Sequence, residues 1–187
     1  ERWTVFLADE RKVPLDYPDS NYRLIREVMP FLSPERIIPI NPSLAVADCA
    51  ADYGSKVAKG LSTSGGIFDL VLLGLGPDGH TASLFPGHAV LGENILNVAA
   101  IADSPKPPPE RVTLTIPVIN ASRAVVFVCT GAGKADAIKD IFSNPQSSLP
   151  GAKIAPASGE LDWFIDKPAA GSITSKVRQW LTPVNEP

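Results

Sequence analysis

The 187-residue chain is 44% hydrophobic and 20% charged, long enough for one ample core and typical of a single globular domain. Its 17 basic and 20 acidic residues are interspersed, giving a formal net charge of -3 with no basic run. That excludes nucleic acid and a membrane surface as expected partners and leaves room for a small anionic ligand held by a few local cations.

No apolar stretch reaches the length of a membrane span and the first residues lack a signal-peptide pattern, so a cytoplasmic protein is the simplest reading. Cys49 and Cys129 both fall inside apolar patterns, which suits buried thiols in a reducing compartment better than a disulfide framework.

In chain order, Trp3 to Leu7 predicts a core strand whose exit carries the charged cluster Asp9, Glu10 and Arg11, followed by a loop from Pro14 to Asp19. From Ser20 the pattern turns helical: Ile25, Val28, Met29 and Leu32 share one face, with Asp19 or Ser20 as cap. Ile37 to Ile40 reads as a brief strand. A second helix is expected from Asn41-Pro42-Ser43, with Val46, Cys49, Ala50, Tyr53 and Val57 inward and Gly60 as its stop. After a flexible turn at Ser62 to Gly66, the run Leu70 to Leu73 predicts a strand buried on both faces, as in a parallel sheet, that empties into a glycine-rich turn.

Ile95 to Ala102 reads as extended, and Ser104 to Glu110, with Pro107, Pro108 and Pro109, is a stiff loop excluded from helices and central strands. Arg111 to Ile116 alternates as a half-buried strand, Pro117 opens a short helix, and Ala124 to Cys129 is an apolar strand ending in Thr130-Gly-Ala-Gly-Lys134. A helix bearing Ile138, Ile141 and Phe142, short strands at Lys153 to Ala157 and Leu161 to Ile165, and a last helix from Pro168 presenting Ile173, Val177, Trp180 and Leu181 complete the chain. Strands alternating with helices predict one α/β domain over 1–187, doubly wound and Rossmann-like, with a mainly parallel sheet flanked by helices.

Such sheets bind ligands at the carboxyl ends of their strands, so the turns after Leu73 and Cys129 carry the candidate site. Gly74-x-Gly76-x-x-Gly79 has the spacing of a dinucleotide fingerprint, but Pro77, Asp78 and His80 do not open a helix inside it and no acidic strand end follows at the required offset. Gly76 and Gly79 instead let backbone pass close to a substrate and present amide donors. His80 titrates near neutrality and is the candidate general base; the alternative is a histidine that merely satisfies the turn. Asp78 either orients His80 or closes an Asx-turn. His88, after Pro86-Gly87, reads as a surface residue.

Gly131-x-Gly133-Lys134 suits a phosphate through backbone N–H groups, the helix dipole and the Lys134 charge. Val128 and Ala135 do not fit a Walker A loop, so neither nucleotide nor magnesium is expected. Arg11, with Asp9 beside it, and Arg111 next to the proline loop are further candidates for holding the substrate. Two histidines and two cysteines without ligand spacing predict no metal, and no G-x-S-x-G elbow occurs for a serine hydrolase.

The segments Asp9-Glu-Arg-x-Val-Pro14, Asp19-Ser-Asn-Tyr22, FDLVLLGLGPDGHTASLFPGH, Asp103-Ser-Pro-Lys-Pro-Pro-Pro-x-Arg-Val-Thr-Leu-Thr115, Gly131-x-Gly-Lys-Ala135 and Gly159-Glu-Leu-x-Trp-Phe-x-Asp166 span nearly the whole chain. Together they resemble the 6-phosphogluconolactonase family. The resemblance implies an enzyme that hydrolyses the small sugar phosphate 6-phosphoglucono-δ-lactone to 6-phosphogluconate in the oxidative pentose phosphate pathway, without a cofactor, His80 activating water; a monomer is expected.

The same superfamily includes glucosamine-6-phosphate deaminase, which shares the G-x-G-x-D-G-H turn but carries a further catalytic glutamate before the following proline. Thr81 to Pro86 here holds no acid, which favours the lactonase; a deaminase/isomerase, or a non-catalytic sugar-phosphate-binding fragment, is the alternative. Because the family opens with a further strand, helix and Ser-Gly-Gly phosphate loop, the chain is expected to be N-terminally incomplete relative to it.

Overall fold

The structure, a computed structural model, describes residues 3–171 and 173. From the N-terminal side, β1 (Val5–Phe6) leads into β2 (Asp9–Arg11), helix α1 (Asn21–Val28), β3 (Ile37–Ile38) and the long helix α2 (Val46–Leu61). Then come β4 (Val71–Leu73), β5 (Val98–Ile101), β6 (Arg111–Leu114), the short helix α3 (Ile116–Asn120), β7 (Ala124–Cys129), α4 (Ala135–Ser143), β8 (Glu160–Ile165) and α5 (Lys167–Ala170). No helix among the described residues is long and apolar enough to cross a membrane.

Parallel pairing carries the α/β character: β1 with β3, β4 with β7, and β7 with β8. Val71 lies opposite Val125 and Leu73 opposite Phe127, so the turns after β4 and β7 leave the same end of one sheet. A separate sheet, ordered β2-β6-β5, is antiparallel. The sequence reading lacked it. β5 and β6 are joined by one proline loop, too short for the crossover that a parallel pair needs.

The core gathers Tyr53, Val57 and Leu61 of α2 with Val71, Leu73, Val125, Phe127 and Cys129. The Tyr53 hydroxyl accepts from the N–H of Leu7 at 2.6 Å, tying α2 to the exit of β1. Both cysteines are free and buried, and burial pushes the Cys129 thiol up to about 11.

Several expectations need correction. Burial on both faces does not hold for Leu70 to Leu73: Leu70 and Leu72 are 51% and 62% exposed, and Val128 and Phe164 on the neighbouring strands are exposed too, because among the described residues only one face of this sheet is packed. Conversely β6 is buried throughout rather than half-buried, since it is the central strand of its sheet. Helix α2 starts at Val46; Asn41 instead closes an Asx-turn with the N–H of Ser43. Gly60 lies inside α2, where a Cβ would overlap the Phe6 ring. Val28 is exposed on α1. Lys153 to Ala157 forms no strand; Pro150–Lys153 is a 3-10 turn opened by Pro150. Ile173 is buried as expected, while Val177, Trp180 and Leu181 lie outside the described residues.

The charged cluster after β1 is itself a strand, and Glu10 within it is 1% exposed. Its carboxylate accepts from the N–H groups of Arg11, Asn21 and Tyr22 and from the Ser20 hydroxyl, all at 2.8–2.9 Å. A buried anion thus serves the open donors at the start of α1 and fastens that helix to β2.

Candidate active site

The turn after β4 places Asp78 and His80 side by side, with Asp78 Oδ1 2.5 Å from His80 Nδ1. The His80 ring stacks on buried Phe85 with centroids 4.8 Å apart, which fixes its plane and leaves Nε2 without a protein partner among the described residues. The two glycines have a steric role. A Cβ on Gly76 would overlap the His80 ring and crowd Asp78, and Gly79 sits at φ +79, where L side chains are strained. Their amides are not offered to a substrate: Gly76 N–H donates to the carbonyl of His80 and Gly79 N–H to the carbonyl of Gly76. The expectation of glycine-turn donors is corrected accordingly, because the turn spends both on closing itself. Gly76→Ala should lower kcat at least tenfold while the far-UV circular dichroism spectrum stays native, since the added methyl evicts the imidazole.

The loop 104–110 faces this pair. Lys106 Nζ lies 3.1 Å from Asp78 Oδ2 and 3.1 Å from His80 Nδ1. Sequence reasoning passed over Lys106, although a cation inside Ser-Pro-Lys-Pro-Pro-Pro is held on a stiff loop and was the available signal. Arg111, 3% exposed, donates through Nε to the carbonyl of Pro108, through Nη2 to those of Lys106 and Pro107, and through Nη1 to Ser83 Oγ. Ser83 Oγ in turn donates to Asp9 Oδ2 at 2.6 Å, and Asp9 Oδ2 lies 3.8 Å from Arg111 Nη1. Asp9 and Arg111, expected to hold substrate, are therefore largely engaged with each other and with the protein backbone, because a buried guanidinium needs acceptors and a counter-charge.

A cavity of about 290 Å³ opens between these parts, and Arg11, His80, Arg111 and Lys134 all line it, with Asp9 and Gly76. Arg11 Nη1 donates to the carbonyl of Asp19 at 2.8 Å, while its buried Nε has no hydrogen-bond partner. Lys134 ends the turn after β7. The N–H of Gly131 in that turn is not free for a phosphate, since it donates to both Asp166 carboxylate oxygens at 3.0–3.1 Å. His88, expected at the surface, instead accepts from the N–H of Val90 and contacts Asp103 at 3.0 Å, capping a short 3-10 helix.

Burial pushes the His80 imidazole below its usual value and Lys106 adds to that depression, against the upward pull of Asp78. For Asp78 burial opposes ionisation, yet the hydrogen bonds from His80 and Lys106 hold its carboxyl down at about 2. At neutral pH the pair is a neutral imidazole beside a carboxylate, the state a general base requires.

The family model for glucosamine-6-phosphate isomerases/6-phosphogluconolactonase matches residues 1–163. The chain belongs to this family. Among curated family members it is 48% identical to 6-phosphogluconolactonase of Rattus norvegicus, over 90% of this chain and 67% of that protein. It is also 48% identical to 6-phosphogluconolactonase of Homo sapiens, over 92% of this chain and 69% of that one. Of solved family structures, 6-phosphogluconolactonase from Trypanosoma brucei superposes with a TM-score of 0.74 at 31% identity, covering 88% of this chain and 72% of the other. The Trypanosoma cruzi enzyme gives 0.79 at 30% identity, covering 89% and 71%. A monomeric glucosamine-6-phosphate deaminase shares the fold at TM-score 0.70 and 20% identity, covering 89% and 73%.

Proposed function

We propose that the chain hydrolyses 6-phosphoglucono-δ-lactone to 6-phosphogluconate, with His80 as general base. The observation that carries this reading is the Asp78–His80 pair opening on a cavity lined by Arg11 and Lys134, in a chain nearly half identical to lactonases of the family. Asp78 fixes the tautomer with the proton on Nδ1, so Nε2 takes a proton from a water that attacks the lactone carbonyl. The tetrahedral oxyanion forms in the field of the cavity's cations. Collapse breaks the bond to the ring oxygen, and the proton on Nε2 passes to that oxygen, returning His80 to its starting state. Arg11 and Lys134, both on the cavity wall, hold the phosphate.

Thr81 to Pro86 contains no carboxylate to serve a deaminase, which favours the lactonase over release of ammonia from glucosamine 6-phosphate. The test is lactone consumption coupled to 6-phosphogluconate oxidation, run beside an ammonia assay on glucosamine 6-phosphate. Turnover is expected only in the first. Lys134→Ala should raise KM about tenfold or more with kcat nearly kept, the pattern of a lost ground-state contact; an unchanged KM removes it from the phosphate site.

A further inference from the structure

The loop 104–110 is built to deliver one cation. Ser104 Oγ donates to the carbonyl of Lys106 at 2.8 Å and accepts from its N–H at 3.2 Å, and Ser104 N–H donates to the carbonyl of Pro109. From below, the buried Arg111 gathers the carbonyls of Lys106, Pro107 and Pro108. Phe85, 1% exposed, is a common floor: His80 stacks on it, the Arg111 guanidinium lies 5.6 Å from its centroid and the Lys106 ammonium 6.0 Å. All this fixed structure converges on a side chain that touches both members of the Asp78–His80 pair and that the mechanism above does not use.

We propose that Lys106 is a positioning residue of the general base, holding the Asp78 carboxylate against His80 Nδ1 and keeping a positive charge beside the imidazole, and that Arg111 is the clamp that presents it. This rests on His80 being the base. Asp78 pulls the imidazole toward its protonated form, against burial. A cation at 3.1 Å from Nδ1 counters that without competing for the bond, because an ammonium cannot donate into a nitrogen that already bears a proton. It donates instead to the second oxygen of Asp78, at 3.1 Å, which turns the carboxylate edge toward the ring. The other charged groups around His80 are Asp9 from β2 and, across the cavity, Arg11, Arg111 and Lys134. Among the described residues, only Asp78 and Lys106 touch His80 Nδ1.

The experiment compares the pH dependence of kcat/KM in the wild-type chain, Lys106→Gln and Lys106→Arg. Glutamine keeps a donor for Asp78 and removes the charge. The acid limb should move up by about one pH unit, so that activity at pH 6 falls several-fold while activity at pH 8 is nearly kept, and arginine should restore the limb. A limb that stays at the wild-type position in Lys106→Gln, even with kcat lowered evenly at every pH, overturns the proposal and leaves Lys106 as a brace of the loop. If His80→Ala retained turnover, the reading of the base would fall first. An unmoved limb alongside an inactive His80→Ala removes only the role of Lys106.

Discussion

His80→Ala is expected to lower kcat for lactone hydrolysis about 10²- to 10⁴-fold with little change in KM, the ordinary contribution of a positioned acid–base group. The ring stands on Phe85 with Asp78 at Nδ1 and lines the cavity, so its removal takes away the proposed proton acceptor and leaves Arg11 and Lys134 in place. Stopped-flow measurement of lactone loss checks this, and wild-type kcat in the variant would sink the assignment. The pH dependence follows from the same group. Neutral His80 is the active form and burial depresses its pKa, so kcat/KM should hold level down through pH 7 and fall only below about pH 6.5, the ordinary imidazole value. The stability term has the same sign: the folded state binds fewer protons than the unfolded one, so this contribution is present above about pH 6.5 and is lost as pH falls through the depressed value.

Arg111→Met should destabilise the fold by about 3–5 kcal/mol, the usual cost of removing one partner of a buried ion pair. The variant strands the Asp9 carboxylate and leaves the carbonyls of Lys106, Pro107 and Pro108 without their donor. For a chain of this size that is a drop in Tm on the order of 10 °C. Chemical denaturation measures the first quantity and calorimetry the second. A raised KM with unchanged stability would instead make Arg111 a direct phosphate ligand. The contrast with Lys134→Ala, where KM moves and stability does not, separates a cation that holds the fold from one that holds the substrate.

These two residues also mark what could be read without coordinates. His80 was legible because its signal is local. An apolar strand running into a glycine turn marks an imidazole there as a candidate for chemistry, and both Asp78 and Gly76 lie within four residues of it. Arg111 was legible as a cation of the site but not in its duty, since the acceptors that occupy it come from the loop before it, from Ser83 and, through Ser83, from Asp9. Lys106 and Glu10 were missed for related reasons. One sits in a proline loop whose direction no periodicity reports, and the other is an acid in a charged triplet that reads as solvent-facing until helix α1 closes over it.

By itself the amino-acid sequence determined the alternation of elements, the strand end that carries the Asp78–His80 pair, and the absence of an acid between His80 and Pro86. Those properties depend on residues close together in the chain. Only the tertiary structure decided which charges meet: that Asp9, Ser83 and Arg111 form one buried network, that Lys106 reaches His80, and that the amides of Gly76, Gly79 and Gly131 are already taken. Whether a charge faces substrate or faces the protein is settled by burial and by the partners that burial demands, and those come from distant parts of the chain.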